Sequence, residues 1–226
     1  MLYLVATPIG NLEDLSYRAV RILQSCDYIL CEDTRKSRTL LHHYQIHKPL
    51  VSFHKFSEKK GEKDILKDLE NELDIALISD AGTPLICDPG FSLVQNCIQK
   101  KIPLSAIPGA SSILHALILS GFATIPFQFL GFLSKKAKAR EKSLQDALGY
   151  KGTSIFFETP HRIQKTLEAL QILAPQLIIA IARELTKKFE ECLRDTPQNL
   201  LSHFQKHPPK GEMILLIPEH EGILCS

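Results

Sequence analysis

The sequence predicts an α/β protein of two domains: a doubly wound, mostly parallel sheet over residues 1–123 and a smaller α/β domain with a mixed sheet over residues 124–226. Three observations predict it. Short apolar runs alternate with helical patterns through the first half, the imprint of parallel βαβ units. That alternation breaks between Gly121 and Gly131, which places a domain boundary near Thr124. Beyond the break strands and helices mix, with two strands in succession, which suggests mixed strand directions.

The elements follow in order. Residues 2–6 read as a buried strand, 15–23 as a helix, 28–31 as a second strand and 35–44 as a basic helical segment. A short strand at 50–52, a charged amphipathic helix at 60–72 and a strand at 75–78 come next. The helix over 90–99 has a start signal, because Asp88 can cap it and Pro89 suits a first helical position. A strand at 104–107 and a helix at 111–119 close the first half. In the second half a basic segment at 134–142 precedes a strand at 153–157 and a helix at 161–173. Strands at 177–182 and 189–194, a helix at 198–206 and a strand at 212–217 complete the chain. Residues 102–134 carry no Asp, Glu, Lys or Arg. A spanning helix needs about 20 apolar residues, but Pro103, Pro108, Gly109, Gly121, Pro126 and Gly131 interrupt this stretch. It reads as a buried strand, a buried helix and an apolar linker.

Composition excludes little but directs attention. A chain of 226 residues can bury a real core. A net charge of only +2 means that any case for nucleic acid must rest on local patches. The cysteines, Cys26, Cys31, Cys87, Cys97, Cys192 and Cys225, form no C-x-x-C pair and no zinc spacing. They read as reduced core residues of a cytoplasmic protein. The start, M-L-Y-L-V-A-T-P, lacks the basic region of a secretory signal.

In open parallel sheets ligands bind beyond the carboxyl ends of the strands, so the loops there are the informative places. After the first strand comes T-P-I-G-N (residues 7–11), a tight turn in which Asn11 can bond nearby backbone. After the second comes C-E-D-T-R-K (31–36). It reads either as a helix start, capped by Asp33 or Thr34, or as a polar rim where Arg35 meets an anion. S-D-A-G-T-P (79–84) follows the strand at 75–78. Ala81 and Gly82 let a ligand approach backbone, and Asp80 offers a carboxylate to a ribose hydroxyl or an ammonium group. P-G-A-S-S (108–112) opens a helix whose amides can receive polar atoms. The last two loops follow consecutive strands and are expected to line one rim. The densest basic run, Lys135, Lys136, Lys138, Arg140 and Lys142, reads as a solvated helix face or as a phosphate contact. His42 and His47 do not share a helix face, and no metal is expected. His161 reads as a base or as an ordinary helix-start residue. No dinucleotide fingerprint, P-loop or nucleophile elbow is present.

Taken in order, T-P-I-G-N, E-D-T-R, S-D-A-G-T-P with D-P-G (88–90), P-G-A-S-S, G-F-L (131–133), F-E-T-P-H-R (157–162), A-R-E-L-T-K (182–187) and G-E-M (211–213) span nearly the whole chain. This series resembles the bacterial 16S ribosomal RNA 2′-O-ribose cytidine methyltransferase I family, of the tetrapyrrole methylase superfamily. The resemblance implies a two-domain tetrapyrrole-methylase-like fold with S-adenosylmethionine held between the domains. It also implies a homodimer, and methylation of a cytidine ribose in the decoding region of 16S rRNA within the 30S subunit. The cofactor residues it implies are Thr7, Pro8, Gly10, Asp80, Thr83, Pro84, Ser111 and Ser112, with Phe157, Ala182, Arg183 and Met213 from the second domain. Arg35, Lys36, Arg38, Lys135, Lys136, Lys138 and Arg140 would face RNA. Glu32, Asp33 and Arg35 are the candidates to flank the reacting ribose, and Arg183 and Glu184 come second. Longer members of the family continue into a small helical domain. Without it, weaker RNA binding or reliance on a dimer is expected. The family's P-G-P-S reads P-G-A-S here, so Ala110 loosens that turn. The alternatives are a small-molecule, tetrapyrrole-type methylase, against which E-D-T-R and the basic run argue, and a non-enzymatic RNA-binding factor, against which the intact S-D-A-G-T-P loop argues.

Overall fold

Five apolar runs of the first half, Leu2–Val5 (β1), Tyr28–Cys31 (β2), Leu50–Ser52 (β3), Ile75–Ile78 (β4) and Leu104–Ile107 (β5), pair in the order β3-β2-β4-β1-β5. All the pairings are parallel. They are seen in a computed structural model that describes residues 1–54 and 58–220. Four helices cover the sheet: Tyr17–Ser25 (α1), Thr34–His43 (α2), Glu58–Glu70 (α3) and Phe91–Gln99 (α4). Strand side chains alternate between faces, so β1, β2, β4 and β5 each feed two cores. Ala76 and Ile78 of β4 pack with Ala19 and Leu23 of α1 and Leu41 of α2. Ile75 and Leu77 pack with Ile65 and Leu69 of α3 and Leu93 and Cys97 of α4. A strand buried on both faces has no polar side to show, and that is why β4 reads as an unbroken apolar run.

Two local details differ from expectation. Helix α1 begins at Tyr17, capped by the Ser16 hydroxyl, which accepts from the Ala19 amide at 3.1 Å. A short 3₁₀ helix, Leu12–Asp14, precedes it, and its first turn is held by Asn11. Helix α4 is not capped by Asp88, nor does it begin at Pro89. Its N-cap is Gly90, at φ 122° and with no side-chain cap bond. The approach to it runs through Leu85 and Cys87, both at φ 71°. The Asp88 carboxyl instead bonds the Ser79 side chain.

Contacts divide the chain into Met1–Ser111 and Ser112–Ser226. The second unit holds Ser112–Ser120 (α5), Phe127–Phe132 (β6), Ala137–Leu148 (α6), Thr153–Glu158 (β7), Ile163–Leu173 (α7), Ile179–Arg183 (β8), Glu191–Asp195 (β9), Pro197–Lys206 (α8) and Met213–Ile217 (β10). Its sheet runs β6-β7-β10-β8-β9. Only β6 and β7 are parallel, and the other pairs are antiparallel, so the sheet is mixed. A boundary near Thr124 would leave α5 with the first sheet, but α5 packs on β8, β9 and β10. The Arg194 guanidinium of β9 donates to the carbonyls of Ser120, at 2.7 Å, and Leu119, closing the helix's negative end.

The stretch expected to be an apolar linker contains β6, an edge strand. Its ladder to β7 shifts register between Phe129 and Phe132, with Gly131 at φ 67° absorbing the irregularity. The core beneath this sheet is built on Phe156, Phe204, Leu144, Leu170 and Leu215. Among the described residues no helix is long and apolar enough to cross a membrane. Cys26, Cys31, Cys87, Cys97 and Cys192 are free thiols, and Cys225 lies outside the described residues.

Candidate active site

Strands β1 and β4 lie side by side, and their following helices leave on opposite faces of the sheet. That is the topological switch point, where an open parallel sheet presents a crevice. The two loops at this point are stitched together. The Thr7 amide donates to the Gly82 carbonyl at 2.9 Å, and the Gly82 amide donates back to the Thr7 carbonyl at 3.0 Å. The Thr7 hydroxyl donates to the carbonyls of Ser79 and Gly82 at 3.2 and 3.4 Å.

Thr7 and Pro8 are therefore buried framework, while Gly10 is exposed. Gly82 sits at φ +79°, and a Cβ there would come within 3.3 Å of the Ile9 side chain. The loop after β5 comes equally close: a Cβ on Gly109 would lie 2.9 Å from the Cβ of Ala6. The Thr83 hydroxyl reaches the Ala110 carbonyl at 3.5 Å. Three loops thus meet closely at one edge, where glycine leaves room for the neighbouring chain, and Pro84 is buried.

The loop after β2 joins this rim through Asp80. The Asp33 amide donates to Asp80 Oδ1 at 3.1 Å, and Lys36 Nζ lies 2.8 Å from Asp80 Oδ2. Asp33 is the N-cap of α2, as its position suggests, accepting the Arg35 amide at 2.9 Å. It also holds the Arg35 guanidinium through Nε at 3.1 Å and Nη2 at 2.8 Å. That side-chain pairing first, and the backbone amides after it, lower the Asp33 carboxyl to about 2. A carboxylate so committed is a poor proton acceptor, so Asp33 serves here to aim Arg35. Glu32, Arg35 and Arg38 are exposed.

Asp88, a helix-cap candidate by sequence, stands instead beside Glu32, Asp80 and Ser79 on this rim, a neighbourhood that no local pattern signals. Burial first, then the charges of Glu32 and Asp80, raise its carboxyl to about 6. Between about pH 4 and 6 the folded protein therefore keeps a proton that the unfolded chain releases. The stability linked to that proton is fully present below pH ~4 and is lost as the pH rises through about 6. Asp88→Asn is expected to melt higher than the wild type at pH 8, with the difference closing toward pH 4. Melting curves across that range check it, and equal profiles would contradict it.

In the second unit, β10 aligns the predicted residues. Met213 pairs with Glu158 on one side and Arg183 on the other, and the next rung joins Phe157, Ile214 and Ala182. Phe157, Ala182, Arg183 and Met213 therefore share one end of this sheet. Arg183 Nε lies 2.6 Å from Glu191 Oε2, and Glu184 pairs with Lys187 at 3.1 Å. Phe157 packs edge-on against Phe129 at 4.8 Å. Glu158 is buried and accepts from the Thr166 hydroxyl at 2.7 Å and the Thr159 amide at 2.9 Å. Arg162 lies against it at 3.4 Å and also donates to the Leu133 carbonyl, tethering the start of the basic run.

Of that run, Lys135, Lys136, Lys138 and Lys142 are exposed, while Arg140 is half-buried on α6. Ser111 and Ser112 stand half-buried at the start of α5. His161 lies in the turn before α7, which begins at Ile163 rather than at His161, and is exposed.

Residues 1–201 match the family model described as Tetrapyrrole (Corrin/Porphyrin) Methylases. A protein of Halalkalibacterium halodurans named Ribosomal RNA small subunit methyltransferase I is 44% identical over 96% of this chain and 75% of its own length. One of the same name from Hydrogenobaculum sp. is 42% identical over 98% of this chain and 97% of its own. Among solved structures, a diphthine synthase matches with a TM-score of 0.72 over 96% of this chain and 89% of that one. At 13% identity it speaks for the fold alone.

Proposed function

The chain belongs to the tetrapyrrole methylase family, and from that premise we propose that it transfers a methyl group from S-adenosylmethionine to the ribose 2′-hydroxyl of a cytidine in the decoding region of 16S rRNA. The observation that carries this reading is identity of 40–44% along nearly the whole chain to relatives named for small-subunit rRNA methylation. The proposed substrate is the 30S subunit, the setting cytoplasmic and the working form a homodimer.

The residues present suit the methyl donor. Three loops approach so closely that a Cβ at Gly109 has no room and one at Gly82 is crowded, leaving a backbone cradle of the kind a polar nucleoside needs. When bound, S-adenosylmethionine supplies a methyl group on a positively charged sulfur. Thr7, Pro8, Gly10, Asp80, Thr83, Pro84, Ser111 and Ser112 would hold it, with Phe157, Ala182, Arg183 and Met213 from the second unit. Most of the rate comes from alignment, because the reaction is an in-line displacement. Arg35, aimed by Asp33, orients the target ribose phosphate, and Glu32 stands beside it as a proton acceptor.

The deciding experiment is transfer of radiolabelled methyl from S-adenosylmethionine to 30S subunits lacking their own 2′-O-methylation, with the labelled nucleotide mapped. Label on one decoding-region cytidine ribose is expected. Clear donor binding with no transfer to 30S would overturn the RNA reading.

Lys135, Lys136, Lys138 and Arg140 are proposed to bind phosphate. Changing Lys135 and Lys136 to alanine is expected to reduce the slope of log affinity against log salt by about one for each phosphate no longer neutralised. Filter binding of 30S subunits from 50 to 200 mM salt reads it, and an unchanged slope would place this patch away from the RNA.

A further inference from the structure

The irregularity in β6 decides which way one phenylalanine faces. Phe129 pairs with Ile155 and Phe132 with Phe157, so three steps along β6 match two along β7. Paired residues of neighbouring strands share a face of the sheet, and so do residues two apart on one strand. Phe129 and Phe132 therefore lie on one face with Ile155 and Phe157. In a regular strand an offset of three would set them on opposite faces. The extra residue of the bulge, with Gly131 at φ 67°, reverses the alternation beyond it. Leu133 thereby enters the core with Phe156, and Phe132 is turned away from it.

The outcome is a row of rings at the end of the second sheet. Phe157 stands between the other two, edge-on to Phe129 at 4.8 Å and tilted against Phe132 at 5.3 Å. Phe132 is nevertheless 54% exposed. Giving the core position to a leucine and the outward one to a phenylalanine forgoes burial of the larger side chain. Bulges that re-aim a side chain in this way recur beside functional sites. Three and four residues further on stand Lys135 and Lys136, both exposed. An open aromatic face followed closely by cations matches the make-up of a nucleotide, a flat apolar base joined to an anionic phosphate. A symmetric contact with a second copy through this face would instead set the lysines of one copy near those of the other.

We propose that Phe132 is a stacking platform for an unstacked base of the substrate RNA, with the adjoining phosphate on Lys135 and Lys136. This rests on the functional reading above and adds to it the side chain that grips RNA other than by charge. A nucleotide presented for chemistry leaves its helical stack, and its base needs another flat surface to lie on. Phe157 backs the platform and fixes its tilt, so the base is held at the end of the sheet where Met213 and Arg183 also lie. Stacking accepts any base, so the platform supplies affinity and orientation rather than choice of sequence.

The test is methylation kinetics and filter binding on unmethylated 30S subunits with the wild type, Phe132→Ala, Phe132→Leu and Phe132→Tyr. Calorimetry with S-adenosylhomocysteine and light scattering accompany them. Phe132→Ala is expected to weaken 30S binding by roughly 5- to 100-fold, the loss of one stacked base, with KM rising accordingly. Phe132→Leu keeps apolar bulk without a π face and should lose nearly as much, while Phe132→Tyr should stay within about twofold of the wild type. The slope of log affinity against log salt should be unchanged in all three, because no cation is removed. Leucine that serves as well as phenylalanine overturns the platform. Donor affinity that falls together with RNA affinity assigns the ring to the donor's adenine, and dissociation into monomers assigns it to a contact between copies. Each of these overturns the platform and leaves the methyltransferase reading intact. A wild type that methylates no 30S subunit overturns both.

Discussion

Arg35→Ala is expected to lower kcat/KM for methylation of 30S subunits by about 10²–10³-fold, the usual loss when one aimed charge is removed from a reacting centre. The guanidinium is held out from the start of α2 by two bonds to Asp33, which fix its direction while leaving most of it open to a ligand. Because Asp33 grips both Nε and Nη2, a lysine cannot reproduce the arrangement, and Arg35→Lys should recover little. Asp33→Asn keeps an acceptor for the backbone cap but loses the charge that orients Arg35, so its defect should be intermediate. Donor affinity, measured by calorimetry, should change little in all three. Full turnover by Arg35→Ala would remove Arg35 from the mechanism.

The largest effect on stability is expected at Phe156, which is 1% exposed at the centre of the second core. It lies on β7, next to the edge strand, among the side chains that β10 and α7 bring together. Phe156→Ala should cost about 3–5 kcal/mol, since removing the ring leaves a cavity that two sheet strands cannot close. That is a large part of the total stability of an ordinary domain, about 5–15 kcal/mol. Urea unfolding followed by far-ultraviolet dichroism gives the midpoint shift. Phe156→Leu should lose less than half as much, and an alanine variant within ~1 kcal/mol of wild type would show that this core relaxes freely.

The parallel sheet was legible because strands buried on both faces leave unbroken apolar runs, as β4 does, and because small residues cluster where its loops meet. The Asp33 cap could be read for a similar reason: capping is decided within two residues. What escaped depends on distant chain. Strand β6 carries Pro126 just before it and Gly131 within it, and none of its positions is fully buried, so its sequence imitates a linker. Helix α5 is assigned to the second sheet by packing and by Arg194, which lies 74 residues beyond the carbonyl it caps. The proton affinity of Asp88 depends on Glu32 and Asp80, which come from two other loops. No local pattern announces such a neighbourhood, and the pairing of Lys36 with Asp80 was hidden in the same way.

The place of β1 in its sheet bears on how the molecule comes to exist. β1, the first of the sheet's five strands in chain order, is seated between the fourth and the fifth, Leu2 opposite both Ile75 and Leu104. During synthesis it must wait, unpaired, until Ile75–Ile78 has been made, and its second edge stays open until Leu104–Ile107 follows. Non-local pairing of this kind is slow, because a long loop must close before any interaction rewards it. The crevice formed by the loops after β1, β4 and β5 is therefore among the last features of the first unit to assemble. A nascent chain stopped before Ile107 would carry every residue of the T-P-I-G-N and S-D-A-G-T-P loops and still leave β1 with one open, aggregation-prone edge.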